Sequence, residues 1–483
     1  MGKQLIFTII LLYALNLNAQ TGVYVPQLKA FDSAMQSLMD QYDIPGAQLA
    51  ITYKGRLVYN RGFGQANVEK NELVYPTSKF RIASVSKTLT GVACIKLMEK
   101  GLLNLDAKVF GPGGILKDII NKPILDSRVQ NITVRMLLHH SGGWDRDISG
   151  DPMFNAYQIA KTIGVSSPPS EETVINYVLS QKNLDFSPGT NYKYSNFGYC
   201  ILGRVIEKVS GLSYENYITN NILSPLGMSK TQLGFNLKSK QLTNEVTYYD
   251  FPGASLAYSI YDNITTVPWP YGGFNLEFMD SHGGWVSSCE DLLKFVCAFD
   301  RFDTRPDFLS KSSIDILVKP STYNPNYGCG IGVNSNNNWW HLGSLPGTTS
   351  EIVRNGNSQL NWAILLNTRD ANGNINAAVD NLVWNVLPSI TSWPNIDLFS
   401  TISSTKDSED SYSKIDVYPN PTENLINFSA QANAQLISTT GQTMLNENKV
   451  SYLDITNIPS GLYFLILTND QRHILHKCKI VKL

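Results

Sequence analysis

The spacing of apolar residues divides this chain into segments of different character. Residues 5–15 are apolar except for Thr8 and Tyr13, with Lys3 ahead of them and Leu17-Asn18-Ala19 behind. The run is shorter than the ~20 residues a membrane span needs and ends on a small residue before Gln20, so the pattern predicts a secretory signal over 1–19. Further along, Val85, Leu89, Val92, Ile95 and Met98 recur on one helical face before Gly101, which predicts a helix over 84–100. Helical spacing also covers 172–180, 199–209 and 288–299, and 112–231 as a whole is richest in it. Strand-like runs stand at 47–53 and 56–59, joined by Lys54-Gly55, and return at 339–341 and 360–366. Strands at both ends with helices between them predict an α+β body: a sheet assembled from both ends of the chain, flanked by helices, with an inserted helical subdomain.

The pattern changes again near Trp393. Residues 400–413 are mostly Ser, Thr, Asp, Glu and Lys, a composition that cannot bury a core. Beyond them, Leu425-Ile426-Asn427-Phe428, Gln435-Leu436-Ile437 and the run 462–467 alternate with turn signals such as Pro459-Ser460-Gly461. The expected organisation is a signal at 1–19, a body at 20–392, a linker at 393–413 and a small all-β, sandwich-like domain at 414–483.

Composition narrows the function classes. A hydrophobic share of 43% with 16% charged residues is that of a globular protein. The formal net charge of −1 leaves no electrostatic footprint for nucleic acid and no polybasic membrane patch. No later stretch is long and apolar enough to span a bilayer, so no transmembrane span is expected in the mature chain. The six cysteines form no CxxC pair, and only Cys478 has histidines nearby, His473 and His476. With no fourth ligand in view, neither a metal nor another cofactor is expected. His139 and His140 do not make a zinc site either, because adjacent residues do not face together. A Cys289–Cys297 bridge is open to an exported chain, and the sequence leaves it undecided.

The candidate chemistry starts at Ser84-Val85-Ser86-Lys87. A hydroxyl and an amine three residues apart at a helix start share one face, one turn apart. Serine needs an adjacent base, and lysine serves only if its pKa is lowered by desolvation or cationic neighbours. The motif alone is weak. Ser-x-x-Lys recurs at Ser403–Lys406 and Ser411–Lys414, Tyr-x-Asn occurs four times and His-x-Gly three times. Order and context select one set: Ser84–Lys87, then Tyr194-Ser195-Asn196 at the mouth of an apolar helix, then His341-Leu342-Gly343 on a short strand followed by Ser344.

That ordered trio resembles the signature of the penicillin-recognising, serine β-lactamase-like superfamily, which includes D-alanyl-D-alanine peptidases and esterases. Supporting stretches are Phe80-Arg81-Ile82-Ala83, His139-His140-Ser141-Gly142-Gly143, Pro225-Leu226-Gly227-Met228 and Gly283-Gly284-Trp285, and the resemblance covers 24–387. It implies that Ser84 forms an acyl-enzyme, with Lys87 and Tyr194 sharing proton transfer. Asn196 would orient the lysine or a substrate amide, and His341 would line a third wall near the substrate carboxylate or leaving group. Gly343 and Ser344 would bring a second backbone N–H beside that of Ser84 for the oxyanion. The implied substrate is a D-amino-acyl peptide, small ester or related amide. The tail, through Val417-Tyr418-Pro419-Asn420-Pro421, Leu453-Asp454-Ile455 and Ser460-Gly461-Leu462-Tyr463, resembles a type IX secretion C-terminal sorting domain. It implies the type IX machinery as a partner, passage through periplasm and outer membrane, and a secreted or cell-surface protein. A carbohydrate-binding β-module is the alternative reading of the tail.

One departure bears on specificity. Many true β-lactamases have lysine where this chain has His341, which is mostly neutral at pH 7 by its ordinary pKa. A peptidase or esterase is therefore expected ahead of a true β-lactamase or a non-catalytic surface binding protein. No acidic deacylation residue stands out, and His139 and His140 are expected to be structural. His282 is expected at the cleft edge, while Tyr271 and Trp285 fit either an acyl pocket or the core. The loops at 145–169 and 248–279 are expected to set specificity.

Overall fold

The structure is a computed structural model that describes residues 20–399, 417–438, 442–469 and 474–483, with the backbone alone for 474–479. The expected signal at 1–19 and the polar segment 400–413 lie outside the described residues. The chain divides into two units, residues 1–401 and 402–483.

In the first unit the two ends of the body pair directly. Strand Gly46–Tyr53 runs antiparallel to Leu360–Leu366, with Ala47 opposite Leu366 and Tyr53 opposite Leu360. Around this seam the order is Gln20–Gly22, Arg56–Asn67, Gly46–Tyr53, Leu360–Leu366, Thr348–Asn355, Asn338–Leu345 and Gly332–Val333, and the short strand Glu72–Leu73 pairs Arg56–Asn67 to make eight. The central strands Thr348–Asn355 and Leu360–Leu366 are buried at every residue, which only a sheet covered on both faces allows. One face packs against Lys29–Tyr42 and Asn374–Val386, through Phe31, Met35, Ile375 and Val379. The other packs against Ser86–Glu99 and Cys289–Cys297 and, beyond them, the inserted helices.

Helix Ser86–Glu99 was expected to bury one face, yet Ser86 to Ile95 are all buried. It threads between the sheet and the inserted helices, and the fit is close: a Cβ on Gly91 would lie 2.1 Å from the Cys329 carbonyl oxygen. Cys289 and Cys297 are free thiols, one at each end of their helix. The helical rise separates them by about 12 Å, too far for a bridge. Part of the stretch expected as linker packs on the body: Trp393 stacks on Tyr53, Asp397 accepts from the Leu57 nitrogen, and Leu398 and Phe399 are buried.

The second unit is all-β, as expected, and its described strands pair as one five-stranded antiparallel sheet. Strand Leu425–Ser438 carries both runs that the sequence separates, with register shifts between Asn427 and Ala434 where Ala and Gln interrupt the β-formers. Ile426, Leu436, Ile455, Leu465 and Ile480 form its core.

Candidate active site

Ser84 sits in a single 3-10 turn, Ala83–Val85, that leads into Ser86–Glu99. Ala83 holds a left-handed φ of 45°, a conformation unfavourable for any residue with a Cβ. The sheet fixes this turn in place. The Thr348 hydroxyl donates to the Arg81 carbonyl at 2.9 Å and the Ser350 hydroxyl to the Ile82 carbonyl at 2.7 Å. Strand Asn338–Leu345 lies against the same turn, so close that a Cβ on Gly343 would stand 2.5 Å from the Ile82 oxygen and 3.0 Å from the Ser84 nitrogen. Glycine at 343 is thus what lets the backbone of 343–344 approach the Ser84 N–H, and the Ser344 side chain next to it is exposed.

Lys87 is wholly buried. Its Nζ donates to Ser84 Oγ at 3.1 Å and to the His282 carbonyl at 2.8 Å, both neutral acceptors. Burial pushes its pKa well below the ordinary lysine value; the Asp151 carboxylate opposes that shift and the Arg146 charge adds to it. The amine also lies 4.8 Å from the centre of the Tyr194 ring. Tyr194 hydrogen-bonds Ser84, and burial raises its pKa above the ordinary phenol value. Its position follows from local sequence: Ser195 caps helix Asn196–Ser210 by accepting from the Gly198 nitrogen at 3.0 Å, leaving Tyr194 just outside the helix and turned to Ser84.

Two of the expected residues are held differently. Asn196 donates its side-chain amide to Asp151 at 2.7 Å rather than to Lys87. The His341 ring is buried, with Nδ1 2.7 Å from the Leu342 carbonyl and Nε2 3.1 Å from the Tyr327 hydroxyl. Burial, and then the Lys87 charge, push its pKa down to about 3. His282 contributes its backbone carbonyl, Trp285 is core, and Tyr271 accepts from the Tyr248 nitrogen at 2.8 Å.

Sequence reasoning missed the group that links these parts. His140, read as structural, stacks 4.3 Å from Tyr194 between ring centres and accepts from the Ser195 nitrogen at 3.1 Å through Nδ1. One set of protons satisfies the whole chain. With Nδ1 accepting, His140 Nε2–H donates to Tyr327 at 3.1 Å; Tyr327 donates to His341 Nε2; and His341 Nδ1–H donates to Leu342. Both histidines are thereby neutral and fixed in orientation, anchored by a backbone donor at one end and a backbone acceptor at the other. The sequence signal for Tyr327 is the alternating Gly328, Gly330 and Gly332 that follow it, of which Gly330 packs against the backbone of Lys87. Arg146 and Asp151 carried no signal beyond lying in the 145–169 loop.

Residues 416–482 match the Secretion system C-terminal sorting domain. Among curated proteins, Protein flp of Staphylococcus aureus is 27% identical over 354 residues, which are 70% of this chain and 62% of that protein, so the chain spans less than two thirds of its length. The structure of a D-amino acid amidase from Ochrobactrum anthropi SV3 aligns over 74% of this chain and 99% of its own, with TM-score 0.57 and 22% identity. EstCE1, a hydrolase with promiscuous acyltransferase activity, aligns over 74% and 98%, with TM-score 0.58 and 18% identity. Residues 31–382, which supply every side chain of the site just described, match the Beta-lactamase family, and the chain belongs to it.

Proposed function

We propose that this protein is an exported serine hydrolase that opens an amide or ester through an acyl-enzyme on Ser84. The observation that carries this reading is Lys87: a wholly buried amine whose hydrogen bonds go to a hydroxyl and a backbone carbonyl, 3.1 Å from the serine oxygen. Desolvation favours its neutral form, which is the form able to take a proton. Tyr194 is shifted the other way and keeps its proton, so the division of labour left open by the sequence falls to Lys87 as base and Tyr194 as donor. Lys87 takes the Ser84 proton as Oγ bonds the carbonyl carbon; the bond to the leaving nitrogen or oxygen breaks, and that atom leaves with a proton passed through Tyr194. The N–H groups of Ser84 and Ser344 face the developing oxyanion. Water then adds to the acyl carbon, the bond from that carbon to Ser84 Oγ breaks, the acid departs, and Oγ regains a proton.

The preference for a peptidase or esterase over a true β-lactamase rests on His341, whose nitrogens are both engaged and whose ring is uncharged. Export through a type IX route rests on the match at 416–482, and no helix among the described residues is long and apolar enough to cross a membrane. The test is covalent labelling with a fluorophosphonate, with the adduct mapped by mass spectrometry. An adduct on Ser84, absent in Ser84→Ala, is the expected result; no adduct on folded protein overturns the reading. Turnover of nitrocefin against short-chain p-nitrophenyl esters then separates the two enzyme classes.

A further inference from the structure

With His341 uncharged and Lys87 desolvated, the wall beside Tyr194 has no obvious cation for an anionic substrate. One is supplied from the opposite side. The Arg146 guanidinium lies 5.1 Å from the centre of the Tyr194 ring, and its side chain is exposed. It shares with Tyr194 and His341 the lining of a cleft of about 310 Å³, the lower end of the range for small-ligand sites. Among the described residues it makes no hydrogen bond or ion pair. The carboxylates around it are engaged elsewhere: Asp145 with Lys193 at 2.7 Å, Asp151 with Asn196 at 2.7 Å, and Asp185 with the Asp145 nitrogen at 2.7 Å. Its charge nonetheless reaches the site, acting on Lys87, His140 and Tyr194 alike.

We infer that Arg146 is a specificity-determining residue that binds a carboxylate on the leaving-group side of the substrate. The side follows from Tyr194, which bonds the nucleophile and hands the proton to the leaving atom, so a group held over its ring belongs to the departing part. A guanidinium fork matches a carboxylate in plane and charge, and an unpaired one at a cleft mouth leaves both donor edges free for it. The inference rests on the acyl-enzyme reading above.

The test uses two thioesters with the same N-acetyl-D-alanyl group, one releasing mercaptoacetate and the other mercaptoacetamide. In both, the Ser84 Oγ–carbon bond forms, the carbon–sulfur bond breaks, the serine proton leaves on the thiol, and water frees the acyl group. The readout is the ratio of kcat/KM for the carboxylate over the amide, in which any general effect on Tyr194 cancels. The ratio is expected to be well above one in the wild type and to fall about 10- to 100-fold in Arg146→Ala, the weight of a hydrogen bond to a charged group. Arg146→Lys should keep part of it, and added salt should lower it in the wild type. A ratio that Arg146→Ala leaves unchanged overturns the inference. If neither thioester turns over, the same ratio is read from how each protects Ser84 against the fluorophosphonate. Absence of labelling overturns the acyl-enzyme reading, whereas labelling with an unchanged ratio overturns only the role of Arg146.

Discussion

Two basic side chains flank Tyr194, and they differ in almost everything else. Lys87 lies on the floor, fully buried, its hydrogen bonds given to a hydroxyl and a carbonyl. Arg146 lies on the rim, exposed, with its hydrogen-bonding edges open. A lysine without water or a counter-ion sheds its proton and becomes a base. A guanidinium keeps its proton under any such conditions and stays an anchor for anions. The contrast teaches that burial and residue type act together: only a lysine responds to desolvation by losing its charge. The floor is built from the long helix and the central sheet; the rim is built from the short helices and turns of 145–169, at the surface.

The largest break in this comparison comes from the floor. Lys87→Met keeps length and removes the amine, and labelling of Ser84 by the fluorophosphonate should slow about 100- to 10,000-fold, the usual weight of a general base. Lys87→Arg should not restore it. Stability should move the opposite way. Between the depressed folded pKa of Lys87 and its ordinary value, the unfolded chain holds a proton that the folded chain lacks, so the lysine penalises folding there and the penalty fades as pH rises. Thermal melts at neutral pH should therefore place Lys87→Met at or above the wild type. A variant that loses both activity and stability would mean that Lys87 is held charged, and the base assignment would fall.

A smaller effect tests the rigidity of the same floor. Gly343→Ala would place a methyl group 2.3 Å from Ser350 Oγ and 2.5 Å from the Ile82 oxygen, and Ile82 is backbone that cannot turn aside. The strand must retreat from the Ser84 turn, and a displacement of that order should cost about 100-fold in acylation. Substitution at the exposed Ser344 side chain should cost far less, because only its backbone faces the site. Equal effects at 343 and 344 would remove the case for a close-approach glycine.

The sequence carried the floor better than the rim, and for a physical reason. Ser84, Lys87 and Tyr194 lie at helix starts, where short-range spacing and capping residues decide geometry. The pairing of 46–53 with 360–366 was legible as strands at both ends of the body, though its register was not. His140, Tyr327, Arg146 and Asp151 come from loops about 60 to 240 residues apart in their contacts with the helix, and no local pattern encodes such meetings. The resemblance implies a structural role for the segment that holds His140 and names no partner for it, while its partners in the fold are Ser195 and Tyr327. For Asn196 the motif implies a role toward the lysine or a substrate amide, and its amide donates to the Asp151 carboxylate, which the motif does not contain.

Asp151 supplies the smallest and most discriminating test of the contrast between floor and rim. Its carboxylate raises the Lys87 pKa while Arg146 lowers it, so the two rim charges pull the floor's base in opposite directions. The acid limb of kcat/KM reports protonation of the essential base in the free enzyme. Because burial already depresses Lys87, that limb should lie well below the ordinary lysine range. Asp151→Asn removes a negative charge, disfavours the ammonium and should move the limb to lower pH. Arg146→Ala removes a positive charge and should move it to higher pH. The plateau should fall only about fivefold in Asp151→Asn, the worth of losing one of the two hydrogen bonds that Asp151 accepts, from the Asn196 amide and from the Met153 nitrogen, since an amide has one acceptor oxygen where the carboxylate has two. Position and height of the profile thus separate electrostatics from architecture. Shifts of the same sign in both variants would mean that the limb belongs to another group, and Lys87 would no longer be the residue that the pH profile reports.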